Sequence, residues 1–134
     1  MTEAWELLAE DQGAVLIDVR THAEWSYVGV PLLDDPARDV LMIEWLSYPA
    51  MQANPDFAVQ LQAELSNRNV KQDAALLFLC RSGVRSKSAA SVMTELWQGP
   101  CYNIASGFEG DLDEEKHRGH QNGWKQAGLP WRQF

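Results

Sequence analysis

The residue types best suited to chemistry lie between positions 76 and 88, where an apolar run stops at a cysteine, Cys80. A helical pattern begins near Arg85, only a few residues later. A thiol between the end of a buried strand and the start of a helix lies in a positive field, which favours the nucleophilic thiolate. The loop therefore predicts an anion-binding nucleophile, Cys80, with a cradle formed by Arg81, Ser82, Gly83, Val84, Arg85 and Ser86.

The cradle depends on residue types that bring backbone amides and cations toward one point. Gly83 tolerates a positive φ, so successive N–H groups can turn inward and hold an anion. Arg81 and Arg85 can place planar cations over or beside it. The alternative is a buried, inert cysteine followed by an ordinary helix cap, but this combination favours a functional site.

The length of the loop distinguishes between the classes of enzyme that use a cysteine nucleophile. Phosphatases with such a nucleophile carry five residues between the cysteine and the arginine, whereas four separate Cys80 from Arg85 here, so Ser86 occupies the corresponding position. The smaller loop suits the terminal sulfur of a persulfide better than a phosphoryl group. A cysteine phosphatase or arsenate reductase is thus a weaker alternative, as is a non-catalytic binding or regulatory module.

Helical and strand patterns alternate around this loop, which predicts an α/β fold with a central, mostly parallel sheet of about four to five strands and helices on both faces. Ligands bind such sheets at the carboxyl ends of the strands, where Cys80 falls. Predicted strands cover 14–19, 40–46 (where a helix is also possible), 75–79 and 102–104. Predicted helices cover 3–11 after a Thr2 cap, 22–28 with a Thr21/Glu24 capping box, 54–67, 85–97 and a last turn at 123–127, with a surface loop at 105–123.

Composition limits the class of protein. The 134 residues fit one domain, 1–134, and a net charge of −8 disfavours nucleic acid or an anionic membrane as the main partner. Two cysteines do not suggest a disulfide framework. We find no pattern of a secretory signal or a membrane span, so a cytoplasmic location is expected.

Several other residues have both a functional and a structural interpretation. Asp18 and Arg20 lie at the carboxyl end of the first strand, and an internal ion pair or cap network, for instance Arg20 with Glu24, is favoured over a direct role. Ser82 and Ser86 are expected to cap the helix, and Cys101 to be a small buried side chain. Segment 40–51, with Trp45, Tyr48 and Met51, is either core or contact surface.

The acidic loop near the end of the chain carries His117 and His120. The spacing of the histidines and acidic residues in this loop is a weak match to a metal site, and a solvated acidic face is favoured. Phe108, Trp124 and Trp131 are expected to pin the C-terminal segment to the body rather than wall a pocket. No metal is therefore predicted.

Four segments together resemble the single-domain rhodanese, or thiosulfate sulfurtransferase, family over nearly the whole chain. Residues 16–20 (LIDVR) with Glu24-Trp25 are similar to its N-terminal signature, and 80–86 (CRSGVRS) to its active-site loop. Residues 107–110 (GFEG) and 122–131 (NGWKQAGLPW) are similar to its later segments. The family often carries Gly-His-Ile-Pro-Gly-Ala where this chain has 28–33 (VGVPLL), so the substrate rim differs.

The resemblance implies a rhodanese-like fold and a two-step sulfur relay. The Cys80 thiolate would take the outer sulfur of thiosulfate or a similar small donor, and the persulfide would lie in the backbone cradle of residues 81–85. A thiol-type acceptor, which a partner protein could carry, or cyanide in assays, would then remove the sulfur. The relay is covalent, with ping-pong kinetics and no cofactor.

Overall fold

The computed structural model describes residues 1–35 and 37–134. Its centre is a four-stranded parallel sheet in the order β3-β1-β6-β7. The strands are β1 (Val15–Asp18), β3 (Leu41–Met42), β6 (Leu76–Leu79) and β7 (Cys101–Asn103). The predicted α/β class with a mostly parallel sheet is confirmed, although the strand predicted over 40–46 is only two residues long. Pro36, within segment 32–54, lies outside the described residues.

Alternate residues of the two central strands face different cores, which explains why β6 is apolar throughout and β1 is apolar up to Asp18. Ile17, Leu76 and Phe78 pack with helices α3 (Phe57–Asn67) and α4 (Val84–Thr94). The residues between them, Leu16 and Leu77, pack in a second cluster on the other face, together with helix α1 (Thr2–Glu10). Each face of the sheet therefore has its own apolar core.

Most predicted helices are present, with displaced ends. Helix α1 has Met1 as its N-cap, so the prediction that Thr2 caps it is wrong. Helix α2 (His22–Tyr27) begins with the predicted capping box of Thr21 and Glu24. Helix α3 begins later than expected, because Asn54 instead closes a turn by accepting the Asp56 N–H at 3.1 Å.

Helix α4 ends earlier than predicted, at Thr94. Ala89 and Met93 lie on its buried face, whereas Val92 points to solvent, and Leu96, beyond the end of the helix, is also exposed. The helical turn predicted at 123–127 is a turn closed by the Ala127 N–H and the Gly123 carbonyl at 3.0 Å.

Two small antiparallel pairs were not predicted. Strand β4 (Leu46–Ser47) pairs with β5 (Gln52–Ala53), and β2 (Val30–Pro31) pairs with β8 (Trp131–Arg132). Two-residue strands carry too little periodicity to stand out in a sequence. Among the described residues, no helix combines the length and the apolar character that crossing a bilayer requires.

Candidate functional site

Cys80 lies directly after β6, at the carboxyl edge of the sheet and between strands β1 and β7. Its side chain is 1% exposed, and it lies at the base of an open cleft of about 720 Å³. Buried parallel strands place their carboxyl ends at one edge, which is where this fold class binds ligands. The thiol therefore occupies the position that the topology reserves for chemistry.

The loop after Cys80 folds back so that its backbone reaches the sulfur. The Gly83 N–H donates to Cys80 Sγ at 3.1 Å. Gly83 has a φ of 104° and serves as the N-cap of α4. A Cβ at this position would lie 2.0 Å from the Ala105 carbonyl oxygen, so only glycine fits both the backbone conformation and the space. The first-turn amides of α4 have no carbonyl acceptor within the helix and contribute positive potential here.

Ser86 binds the sulfur rather than capping a helix. Its Oγ lies 3.1 Å from Cys80 Sγ, and its hydroxyl donates to Asn103 Oδ1 at 2.5 Å. The predicted capping role is therefore wrong for Ser86, and Gly83 occupies the N-cap. Ser82 lies half-buried along the cleft, after the cysteine and before that cap.

Asn103 is a site residue that the sequence analysis missed. It ends β7, where its Nδ2 donates to the Gly83 carbonyl oxygen at 3.1 Å. A signal existed: a polar residue at the carboxyl end of the parallel strand next to the cysteine strand. It was weak because the strand is only three residues long and is followed directly by a loop.

Arg85 faces Glu24 instead of pointing freely into the cradle. Its two terminal nitrogens donate to the two carboxylate oxygens at 2.7 and 2.9 Å. The expected pairing of Arg20 with Glu24 is therefore wrong. Burial alone would raise the pKa of Glu24, but hydrogen bonds and charge from Arg85, with help from Thr21, outweigh it and lower that pKa. Burial would likewise lower the pKa of Arg85, but Glu24 and the nearby Cys80 raise it.

Asp18 and Arg20 form a fully buried ion pair below the site. Arg20 donates to Asp18 at 2.7 Å and to the Gly29 carbonyl at 2.8 Å, and its guanidinium lies 4.2 Å from the centre of the Phe108 ring. A buried charge of this kind is stable only when it is paired and hydrogen-bonded. The pair fixes the carboxyl end of β1 and does not line the cleft, which is the favoured interpretation from the sequence.

The segment after β7 supports the back of the cysteine loop. The Phe108 N–H donates to the Cys80 carbonyl at 2.8 Å, and the Gly110 N–H donates to the Arg81 carbonyl at 3.1 Å. Gly107 has a φ of 70°, and a Cβ there would lie 2.5 Å from the Arg81 backbone. Residues 107–108 are therefore buried, so the expectation of a surface loop over all of 105–123 is wrong at this end.

The cleft is lined by charged side chains and, at its mouth, by exposed apolar ones. Three arginines, Arg81, Arg85 and Arg118, line it together with Glu24 and Glu109. Val84, the remaining cradle residue, is 74% exposed. The other large exposed side chains along the cleft are Tyr27, Tyr48 and Met51. Segment 40–51 is thus divided, because Trp45 packs against Phe57 with ring centres 5.0 Å apart, while Tyr48 and Met51 form surface.

Cys101 and the two histidines lie outside the cysteine loop. Cys101 starts β7 at the opposite end of the sheet, is only partly buried and is a free thiol like Cys80. His117 and His120 are exposed. Within residues 1–35 and 37–134, no three His, Cys, Asp or Glu side chains cluster as metal ligands. Phe108 and Trp124 are buried in the core, whereas Trp131 is 38% exposed on β8.

Comparisons with known proteins agree with this geometry. The family model of the rhodanese-like domain matches residues 1–114. An uncharacterized protein of Rickettsia conorii, RC0915, is 41% identical over 130 residues, which is 97% of this chain and 92% of that protein. The crystal structure of Rv0390 from M. tuberculosis superposes with a TM-score of 0.85 at 45% identity and covers 99% of this chain and 94% of that one. A thiosulfate sulfurtransferase, GlpE of Actinobacillus succinogenes, is 26% identical over 127 residues, which is 95% of this chain and 82% of that enzyme.

Proposed function

The chain belongs to the rhodanese-like domain family, and on that premise we propose that it is a sulfurtransferase that carries sulfane sulfur as a persulfide on Cys80. The observation that carries the proposal is the Gly83 N–H directed at Cys80 Sγ from 3.1 Å, in a loop with four residues between Cys80 and Arg85. An amide in this position stabilises negative charge on sulfur.

The first step takes sulfur from an anionic donor such as thiosulfate. The Cys80 thiolate attacks the outer sulfur, a new S–S bond forms, and the bond between the two donor sulfurs breaks. Sulfite leaves with that electron pair. Because Glu24 occupies both nitrogens of the Arg85 fork, Arg81 and Arg118 are the cleft cations that we assign to the donor.

The second step passes the sulfur to a thiol. The acceptor thiolate attacks the outer sulfur of the persulfide, and the Cys80 thiolate leaves with the electrons of the broken S–S bond. Each step exchanges one bond to sulfur for another, so the cycle balances without an outside oxidant or a cofactor. The exposed Tyr48 and Met51 at the mouth support an acceptor that carries its thiol on an organic body, such as a small thiol or a partner protein.

The loop geometry favours this proposal over phosphoryl chemistry. The closing arginine of the loop, which a phosphatase would aim at the phosphate, is here paired with Glu24. Gly83 also lies against the Ala105 carbonyl, which keeps the loop from widening on that side. Turnover of an aryl phosphate that disappears in Cys80→Ser would be evidence for a phosphatase instead.

Mass spectrometry of the intact protein tests the proposal. After thiosulfate treatment and removal of excess reagent, we expect the wild-type protein and Cys101→Ser to gain the mass of one sulfur atom. Cys80→Ser should gain none, and cyanide should remove the sulfur from the loaded protein. A gain that persists in Cys80→Ser, or its absence in the wild type, would contradict the proposal.

A further inference from the structure

We propose that Asn103 is a positioning residue that sets the direction of the Ser86 hydroxyl and, through it, the balance between thiol and thiolate at Cys80. This role rests on the proposed function in one respect, which is that Cys80 is the reacting group. It is carried by three contacts in sequence: Gly83 O to Asn103 Nδ2, Asn103 Oδ1 to Ser86 Oγ, and Ser86 Oγ to Cys80 Sγ.

The first contact fixes which way the Asn103 amide faces. A backbone carbonyl only accepts hydrogen bonds, so the Gly83 oxygen requires the Nδ2 group of Asn103 on its side. The opposite orientation would bring two oxygens together at 3.1 Å. Asn103 Oδ1 is therefore directed at Ser86.

The second contact uses the single hydroxyl proton of Ser86. Because Oδ1 cannot donate, Ser86 must donate to it. What remains for Cys80 Sγ at 3.1 Å is a lone pair of Ser86 Oγ. In this arrangement the sulfur donates its S–H proton to Ser86, and the network favours the protonated thiol.

Ionisation of Cys80 must reverse this contact. A thiolate beside the Ser86 lone pair is unfavourable, so the hydroxyl has to turn toward the sulfur and lose its bond to Asn103. Ser86 is fully buried, which leaves the hydroxyl these partners rather than bulk water. The Asn103 bond thus opposes thiolate formation in the resting site, while the Gly83 N–H favours it.

Charged groups on every neighbouring element also act on the sulfur, and they form a constant background. Of these, Arg85 interacts electrostatically with Cys80. The set is Asp18 at the end of β1, Glu24 on α2, Arg81 in the loop, Arg85 on α4, and Glu109 and Arg118 after β7. Substitution of Asn103 changes none of their charges, so a difference between variants reports on the hydroxyl.

The test measures the rate of alkylation by iodoacetamide as a function of pH, in a Cys101→Ala background so that one thiol reacts. In this reaction the sulfur releases its proton to solvent, an S–C bond forms and iodide leaves. We expect Asn103→Leu to free the Ser86 hydroxyl for the thiolate and to move the midpoint of the profile down by roughly half to one pH unit, the size of one hydrogen bond. The Gly83 carbonyl keeps a donor in this variant, the Lys87 N–H at 3.3 Å.

A Ser86→Ala background supplies the matched control. Without the hydroxyl, Asn103→Leu should leave the midpoint unchanged. A midpoint that rises or stays constant in the first comparison would overturn the proposal, and so would an equal shift in both backgrounds. Asn103→Ala makes the same prediction if the leucine variant does not fold. Because alkylation involves no sulfur donor, failure of sulfur loading would count against the proposed function alone.

Discussion

The two cysteines lie on neighbouring parallel strands, at opposite ends of the sheet. Cys80 follows the last residue of β6, whereas Cys101 is paired with the first residue of the same strand, Leu76. At the carboxyl end, the sulfur meets a backbone N–H and a serine hydroxyl. At the amino end, the Cys101 thiol lies 3.9 Å from the Gly99 carbonyl, and burial raises its pKa although a hydrogen bond with Thr94 opposes the rise.

The surroundings of the two ends differ in the same way. Glu24 and Arg85 form a shielded, bidentate pair beside Cys80, while Arg68, on the other side of the molecule, forms ion pairs with Asp39 and Glu64 that are largely exposed. Exposed pairs contribute little to stability, whereas shielded pairs hold a fixed geometry. Cysteine and arginine thus have different surroundings at the two ends of the sheet. The reason is that parallel strands all run in one direction, so the loops that follow them lie at the carboxyl end.

The largest effects are expected from adding one methyl group at each end of the sheet. A Cβ on Gly83 would lie 2.0 Å from the Ala105 carbonyl oxygen, and one on Gly99 would lie 2.2 Å from the Ala74 carbonyl oxygen. We expect both alanine variants to lose about 2 kcal/mol or more of unfolding free energy, measured by urea denaturation. Only Gly83→Ala should abolish sulfur loading in the protein that remains folded. Equal loading by the two variants would show that the cysteine loop tolerates distortion.

A smaller effect is expected at the two arginines. Arg85→Ala should leave Glu24 without its partner, tilt α4 against α2 and slow transfer from thiosulfate by roughly tenfold, equivalent to about 1.4 kcal/mol. The matched variant Arg68→Ala removes exposed ion pairs and should change neither the rate nor the stability by a measurable amount. Steady-state kinetics provide the rates. An unchanged rate in Arg85→Ala would mean that the backbone cradle is sufficient.

The smallest expected effect is an acid-dependent loss of stability at the Glu24 pair. The pKa of Glu24 is lower in the folded protein than its ordinary value of 4.5, so the unfolded chain binds the proton more readily. The resulting stability is fully present above that value and is lost as the pH falls through the folded-state pKa. We expect Glu24→Gln to remove this part of the pH dependence. Its thermal midpoint should therefore change less between pH 5 and pH 3 than that of the wild type. A wild-type midpoint that does not fall over this range would exclude the pair as a contributor.

The sequence was sufficient to predict the sheet and the position of Cys80 at its carboxyl edge. Strands β1 and β6 are buried on both faces, so their residues form apolar runs, ended in β1 by Asp18, that are easily recognised. The Thr21/Glu24 capping box could also be predicted, because its two residues lie only three positions apart. Local patterns of this kind need no knowledge of the tertiary structure.

The partners of the site residues could not be predicted, because they come from distant parts of the chain. Glu24 and Arg85 are separated by 61 positions, and Ser86 and Asn103 by 17. Arg20 had two acidic residues nearby in the sequence, and only the tertiary contact between Arg85 and Glu24 decides that Glu24 is already occupied. For Ser86, a capping role was the reasonable expectation until the positive φ of Gly83 defined where the helix begins.

The division of the core between the two faces of the sheet has a consequence for the order in which the protein is assembled. The cluster that includes Cys80 draws its buried members from residues 17 to 93. The other cluster joins Leu8 to Phe108 and Trp124, and the Trp5 and Trp124 rings meet edge to face at 5.7 Å. During synthesis, the α3/α4 side of the sheet therefore has all its buried members first, and the opposite side is complete only after Trp124 has emerged. Because the Phe108 N–H supports Cys80 from that later side, the contacts that hold the Cys80 thiol in place are complete only after the α3/α4 side has all its buried residues.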